Sequence, residues 1–250
     1  MLSKYNYRST STKLDFSVKG GKKLESLGAL AQDLGINSSQ IKITKQVHGT
    51  NVAIIKNLDQ DYMDVEADAI ITTNANIIVG ILTGDCVPLF ITNPKSKIVA
   101  GVHVSRATSE KGILENALAE LKQFDSNWSN YEVWLGPSLQ QKSHLVDLQF
   151  LKFFDSKYIK PLPKGQFVVD NQELFKSYLT RNNYIEADLK NIQSGYLNLP
   201  QYIKDKLVEH GFNISKILDS GIDTYTNQNH HSYRRDYPNY GIMLSYAILK

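Results

Sequence analysis

The chain has very little cysteine, since Cys86 is the only one in 250 residues. A single thiol excludes an internal disulfide, which is typical of a protein from a reducing compartment. The first ten residues, MLSKYNYRST, lack the apolar core of a signal peptide, and no apolar run approaches the length of a membrane span. We therefore expect a cytoplasmic, soluble protein with no membrane partner.

The chain also has no large excess of positive or negative charge. Lys and Arg number 28 against 25 Asp and Glu, which gives a net charge of +3, and the two signs are interspersed. The basic stripe that is typical of nucleic-acid-binding proteins is missing. Nucleic acid is therefore not an expected partner.

The patterning predicts a mixed α+β protein, in the α/β class, with mixed sheets flanked by helices. Apolar residues at helical spacing predict helices near 22–34, 109–122, 146–157, 171–181 and 199–210. Short β-branched runs between 41 and 103 predict strands, as do the later runs YEVWLG, FVVD, KILDSG and GIMLSYAIL. The best linker candidate, KPLPKG at 160–165, is short, so we predict a single domain over 1–250.

Cys86 lies in GILTGDCVPLF, directly after Asp85. A free cysteine in an apolar run is most often a small buried hydrophobic residue, and the roles of nucleophile and metal ligand stay open at this point. Asp85 points away from Cys86 in an extended strand, so we expect it to orient a neighbour rather than to bind the same metal.

Two of the six histidines have a setting like that of Cys86. His48 in KQVHGTNV and His103 at the end of KIVAGVHV lie at strand ends beside turns, where side chains emerge into clefts. Two imidazoles and a thiolate suit Zn²⁺, and three protein ligands leave a fourth position for water or substrate. An ion held in this way lowers the pKa of bound water and polarises a substrate oxygen.

Arginines supply candidate anion-binding groups. Arg234 and Arg235 in SYRRD can grip a phosphate or carboxylate, although a solvated basic turn paired with Asp236 explains them equally well. Arg106 precedes the helix predicted over 109–122, and helix N-termini attract anions.

Three segments carry a family resemblance: KQVHGTNV, the long run from EADAIITT to KIVAGVHV, and SGIDTYTNQNHHSYRRD. They resemble the bacterial laccase-domain or polyphenol oxidase family, with its YfiH-like fold, which was later described as zinc-dependent purine nucleoside phosphorylases with adenosine deaminase activity. The similarity runs in order over nearly the whole chain. It implies that His48, Cys86 and His103 bind the metal and are catalytic, and that Arg8, Arg106, Arg234 and Arg235 contact substrate or phosphate.

The chain also departs from the family pattern. HAGWRG reads HVSRAT at 103–108, STSTK follows Arg8 in place of a glycine-rich motif, and Asn198 replaces an Asp. Cysteines that are common in the family are replaced by Ser138, Asp223 and Thr226. The metal triad is retained, so these departures bear on phosphate binding and substrate choice.

The laccase label itself conflicts with the chemistry of the chain. A multicopper oxidase needs many histidines, usually in His-x-His pairs, whereas this chain has six histidines and no such pair. We therefore expect a single Zn ion, with copper as the less favoured metal. The resemblance implies phosphorolysis of purine nucleosides, with a nucleoside and phosphate as partners of a monomer or homodimer.

Two alternatives stay open at this stage. The first is a cysteine hydrolase or amidase acting on a peptidoglycan precursor, with Cys86 as nucleophile and His103 or His48 as base. The second is a degenerate member that binds a nucleoside without turnover.

Overall fold

The computed structural model describes residues 5–18, 21–166, 172–181, 191 and 193–249. The strands are β1 (Tyr5–Ser9), β2 (Ile41–Lys42), β3 (Val52–Ile54), β4 (Ala69–Thr72), β5 (Ile78–Thr83), β6 (Val87–Asn93), β7 (Ile98–Val104), β8 (Glu132–Leu135), β9 (Leu145–Asp147), β10 (Ile159–Pro161), β11 (Ser194–Leu197), β12 (Ile217–Asp219) and β13 (Met243–Leu249). The α-helices are α1 (Lys22–Leu34), α2 (Arg106–Lys111), α3 (Ile113–Phe124), α4 (Gln172–Arg181), α5 (Leu199–Glu209) and α6 (Tyr233–Asp236).

The strands of the described residues form mixed sheets, which confirms the predicted α+β class. One sheet has six strands in the order β12-β8-β6-β7-β4-β3, and a second has four in the order β1-β13-β5-β2. A third, small sheet has the order β10-β11-β9. Parallel pairs such as β3 with β4 occur beside antiparallel pairs such as β6 with β7.

The core lies in layers on both faces of the six-stranded sheet. Along β6, Leu89 and Ile91 pack in the cluster that contains α3 and α5, whereas Phe90 packs towards the four-stranded sheet. This alternation is the period of two that a strand imposes on its side chains. Helix α1 covers the outer face of the four-stranded sheet through Leu27 and Leu30.

The prediction of a helix over 146–157 is wrong. Leu145–Asp147 forms β9, which pairs with β11 about fifty residues further along the chain, and short 3₁₀ turns follow at 148–150 and 156–158. Pairing with a distant strand outweighs local spacing here, and apolar periodicity carries no information about such a partner.

The helix predicted over 109–122 begins earlier and is interrupted. Ser105 Oγ accepts a hydrogen bond from Thr108 N at 3.0 Å in a capping box, so α2 starts at Arg106. Gly112, at φ 89°, then separates α2 from α3. The predicted strand FVVD (167–170) lies outside the described residues.

Among the described helices, none combines the length and the apolar character that crossing a lipid bilayer requires.

Candidate metal centre and active-site cleft

His48, Cys86 and His103 meet at one edge of the six-stranded sheet. Pro88 of β6 lies opposite His103 of β7, so Cys86, just before β6, is placed beside that histidine. His48 approaches from the segment between β2 and β3. One ligand atom from each side chain lies within 4.8 Å of the other two, and the two imidazole centroids are 4.7 Å apart. The three predicted side chains therefore do come together, whereas their roles as ligands stay a prediction.

Asp68 connects the two histidines. Its carboxylate bonds to Nδ1 of His103 at 2.8 Å and accepts the backbone N–H groups of Val47, His48 and Gly49 at 3.1, 3.1 and 2.7 Å. Burial raises the pKa of Asp68, but the hydrogen bonds from His103 and the backbone outweigh it, so the pKa is lowered overall. One buried carboxylate thus fixes both the ring of His103 and the loop that carries His48.

The loop around His48 is held by further contacts. His48 has a φ of 56°, a left-handed conformation that costs a non-glycine residue roughly 1 kcal/mol. Lys111 Nζ donates to His48 O at 2.6 Å. Gln46 exchanges two side-chain hydrogen bonds with the backbone of Leu82, at 2.7 and 2.8 Å. These bonds attach the loop to α2 and β5.

The electrostatics of the triad favour a thiolate. Burial raises the pKa of Cys86, but His103 and His48 outweigh it and bring the pKa to about 6. Burial lowers the pKa of His103, but Cys86 and Asp68 outweigh it and raise the pKa to about 9. The thiolate is the form in which cysteine binds metals and attacks electrophiles, so both functions have the charge state they need.

The donor set fits one zinc ion. Asp68 occupies Nδ1 of His103, which leaves Nε2 for a ligand role, as in carboxylate–histidine–metal arrangements. Tetrahedral Zn²⁺, at about 2.0–2.3 Å from nitrogen and sulfur, separates its ligands by roughly 3.5 Å. The observed spread of 4.8 Å or less therefore closes with small side-chain movements. Copper also accepts this donor set.

Asp85 does not join the triad. Its carboxylate accepts a hydrogen bond from Thr224 Oγ1 at 2.6 Å and from Arg234 N at 2.7 Å, and burial raises its pKa. The first bond anchors the segment before α6, and the second anchors α6 itself. Asp85 thus orients a neighbouring segment, as expected, but the expected reason is wrong: Asp85 lies between β5 and β6 with a φ of 102°, not in an extended strand.

A cleft of about 1000 Å³ opens onto the triad, at the upper end of the range for small-molecule sites. Arg106 and Arg234 line it, together with aromatic side chains at Phe16, Phe150, Tyr233 and Tyr240. Cations and aromatic rings in one cleft suit a ligand that has both an anionic and a planar part.

Arg8 and Arg235 do not line the cleft. Arg8 lies on β1 opposite Tyr246, with an exposed side chain. Arg235 bonds Asp236 at 2.6 and 2.7 Å and donates to the carbonyls of Thr224 and His230 at 2.7 and 2.8 Å. Its guanidinium therefore holds the 224–236 segment together, so the interpretation of a turn paired with Asp236 describes it better than phosphate binding.

The cleft contains two residues that sequence reasoning did not single out. Asp68 directly precedes β4 in the motif EADAIIT, and an acid just before a buried strand is the available signal. His144 also lines the cleft. It directly precedes β9, where apolar spacing predicts a helix, so the sequence does not reveal its position relative to the arginines.

The chain resembles proteins of known name along most of its length. It is 29% identical over 202 residues to a protein of Rickettsia conorii named purine nucleoside phosphorylase, which covers 80% of this chain and 72% of the relative. It is 26% identical over 215 residues to a protein of the same name from Clostridium acetobutylicum, with coverage of 86% and 79%.

Solved structures share the fold. The hypothetical protein YfiH of Bacillus licheniformis superposes with a TM-score of 0.75 at 16% identity, over 98% of this chain and 91% of that one. YlmD of Geobacillus stearothermophilus also gives 0.75, at 17% identity, with coverage of 99% and 93%. Residues 3–250 match the family described as multi-copper polyphenol oxidoreductase laccase, and the chain belongs to that family.

Proposed function

We propose that the protein is a zinc-dependent purine nucleoside phosphorylase that also deaminates adenosine. The observation that carries the proposal is the placement of the His48, Cys86 and His103 triad in one cleft with Arg106 and Arg234. The name shared by its relatives supports the same reaction. Its partners are a nucleoside and inorganic phosphate, and its setting is the cytoplasm.

In phosphorolysis, a phosphate oxygen forms a bond to C1′ of the ribose while the bond from C1′ to the purine nitrogen breaks. The bonding electrons leave with the base, which takes up a proton. Two guanidinium groups on the cleft wall, Arg106 and Arg234, hold the phosphate near the sugar. Positioning the nucleophile and offsetting its charge supply most of the acceleration in such a reaction.

The remaining cleft residues bind and orient the nucleoside. Phe150 and Tyr233 offer ring faces on which a purine can stack. Asp68 fixes His103 and the His48 loop, so two of the ligands are oriented before substrate arrives. When bound, Zn²⁺ supplies Lewis-acid polarisation of a substrate oxygen and, in deamination, activation of water.

The proposal is tested by incubating the zinc-loaded protein with inosine and phosphate and separating the products by HPLC. Hypoxanthine and ribose 1-phosphate should form in equal amounts, and none should form without phosphate. Adenosine should yield inosine as well as adenine. His48→Ala should abolish product, whereas the matched His210→Ala variant, at an exposed position outside the cleft, should not. No hypoxanthine at high enzyme concentration would refute phosphorolysis.

A second candidate is the cysteine hydrolase or amidase. The lowered pKa of Cys86, produced by His103 and His48 against the effect of burial, is the observation that favours it. A zinc-held thiolate is a poor nucleophile, so the two functions compete. Iodoacetamide should alkylate Cys86 in metal-free protein and not in zinc-loaded protein; rapid alkylation of the loaded protein would favour the hydrolase.

A third candidate, a nucleoside-binding member without turnover, rests on the altered segment 103–108 and on Asn198. This candidate requires that calorimetry detects nucleoside binding while the HPLC assay detects no product.

A further inference from the structure

His144 has a fixed backbone and an incompletely bonded side chain. Its N–H donates to Gln140 O at 3.0 Å, and its C=O accepts from Leu197 N at 2.9 Å. Its side chain lines the cleft, yet the buried Nδ1 atom has no hydrogen-bond partner among the described residues. A buried polar atom without a partner costs about 1–3 kcal/mol, so such an atom on a cleft wall points to a ligand.

Both cleft arginines are attached to the segment that begins at His144. Arg234 Nη2 donates to Leu145 O at 2.7 Å, and Arg106 Nη1 donates to Phe150 O at 3.2 Å. The Arg106 guanidinium also lies 5.2 Å from the centre of the Phe150 ring. These contacts place the imidazole and both guanidinium groups on the same wall.

Arg234 is also incompletely bonded. Its Nε is buried without a partner, and within the described residues no carboxylate forms a salt bridge with its guanidinium. The Asp85 carboxylate attracts the Arg234 guanidinium electrostatically, but its hydrogen bond to Arg234 is at the backbone N–H. The wall therefore carries two unpartnered nitrogen atoms, on His144 and Arg234. It also carries two guanidinium groups, of which Arg106 is paired with the exposed carboxylate of Glu110 at 3.3 Å.

The surroundings also decide the charge of His144. Burial, and then the positive charges of Arg234 and Arg106, lower its pKa to about 3. The imidazole is therefore neutral before a ligand enters, and a neutral imidazole still has one N–H to donate. It can add a hydrogen bond to an oxyanion without adding a further positive charge beside Arg106 and Arg234.

We propose that His144 is a phosphate-binding residue that completes, with Arg106 and Arg234, a subsite for a tetrahedral oxyanion. This inference rests on the proposed function, in which phosphate is a substrate. The guanidinium groups favour an anion over a neutral purine edge. Both unpartnered nitrogen atoms are closed off from solvent, so a small rotation of each side chain brings them to the acceptors of an oxyanion. Recognition of the purine by His144 is the competing outcome of the test.

The test measures binding of inorganic phosphate to the zinc-loaded full chain by isothermal titration calorimetry. His144→Phe retains a flat ring without nitrogen and should weaken phosphate binding by about tenfold or more, as expected for a hydrogen bond to a charged group. His144→Asn places an amide nitrogen near the position of Nδ1 and should stay within about threefold of the wild type. The matched control, His210→Phe, should leave the affinity unchanged.

Steady-state kinetics separates the two ligands. In His144→Phe the KM for phosphate should rise while the KM for inosine stays within about twofold. An unchanged phosphate affinity overturns the inference, and a rise in the inosine KM alone assigns His144 to the base. Circular dichroism shows whether His144→Phe folds. If it does not, NMR of the wild type tests the inference, because the ring resonances of His144 must shift when phosphate is added.

Failure of the subsite and failure of the proposed function give different results. Phosphate binding that depends on His144, without hypoxanthine from inosine, retains the subsite and refutes phosphorolysis. Hypoxanthine production with an unchanged phosphate KM in His144→Phe retains phosphorolysis and refutes the subsite.

Discussion

Asp68 is the residue on which the geometry of the triad most depends. Its carboxylate is buried and bonds to one histidine side chain and three backbone N–H groups of the His48 loop. Such partners of metal-binding histidines set the tautomer and the ring orientation. The metal affinity of this protein should therefore depend on a residue that is not itself a ligand.

Asp68→Asn should weaken zinc binding by about 10–100-fold, because the amide cannot accept from His103 Nδ1 and from the loop N–H groups as a carboxylate does. The measurement is a competition titration with a chromogenic chelator. Asp33→Asn, at an exposed position on α1 outside the cleft, is the control. Equal zinc affinities in the wild type and Asp68→Asn would contradict this role.

Sequence reasoning groups the triad chiefly through the family resemblance, and its strand-end rule holds for Cys86 and His103, which lie where β6 begins and β7 ends. His48 lies in the loop between β2 and β3 rather than at a strand end, and the role of all three as ligands stays a prediction. The arginines follow no such rule, since a guanidinium can reach in several directions. Arg235 turns back to the 224–236 backbone whereas its neighbour Arg234 enters the cleft, and only their tertiary partners distinguish them.

At the scale of elements, Asp15 joins three parts of the four-stranded layer. Its carboxylate accepts from the N–H groups of Ser17 and Ile242, each at 3.0 Å, and from Lys22 Nζ at 3.1 Å. Burial raises the pKa of Asp15, but the bonds from Ile242, Ser17 and Lys22 outweigh it and lower the pKa to about 2. Folding therefore favours the charged form of the Asp15 carboxyl group.

Because the pKa of Asp15 is lowered from 3.8 to about 2, its contribution to stability is present above about pH 4 and is lost as the pH falls towards 2. Asp15→Asn should lower the free energy of unfolding by roughly 1 kcal/mol at neutral pH, after allowance for solvent screening. Urea unfolding near pH 7 and near pH 2.5 checks this. A loss of the same size at both pH values would contradict it.

Element prediction succeeds where the pattern is local and strong. The helix over 22–34 and the buried strands β5, β6 and β7 agree with their sequence patterns because burial itself produces the periodicity. Prediction from the sequence fails at 146–157, where the three-residue strand β9 depends on β11 for its hydrogen bonds. The cleft wall with His144 therefore could not be anticipated from the sequence.

At the scale of the whole molecule, the two large sheets are held at a close separation. A Cβ atom on Gly101 of β7 would lie 2.7 Å from Val79 Cγ1 and 2.9 Å from Ile81 Cγ1, both on β5. The absence of a side chain at this position thus allows the sheets to approach. The placement of the triad depends on this packing because β7 also carries His103.

Gly101→Ala should lower the free energy of unfolding by roughly 1–3 kcal/mol, since the added methyl group forces the sheets apart. The matched change Gly28→Ala, within α1 and with open space around the new Cβ, should instead raise it by about 0.5–1 kcal/mol. Denaturant unfolding of both variants checks the pair. Equal effects of the two substitutions would contradict the packing argument.

The central claim is that His48, Cys86 and His103 together hold one metal ion. Its most direct test is the metal content of the purified, dialysed protein, measured by inductively coupled plasma mass spectrometry. The account predicts one zinc per chain in the wild type and in His210→Ala, and less than about a tenth of that in His48→Ala. A full zinc complement in His48→Ala, or a wild type that binds no zinc when it is supplied, would contradict it.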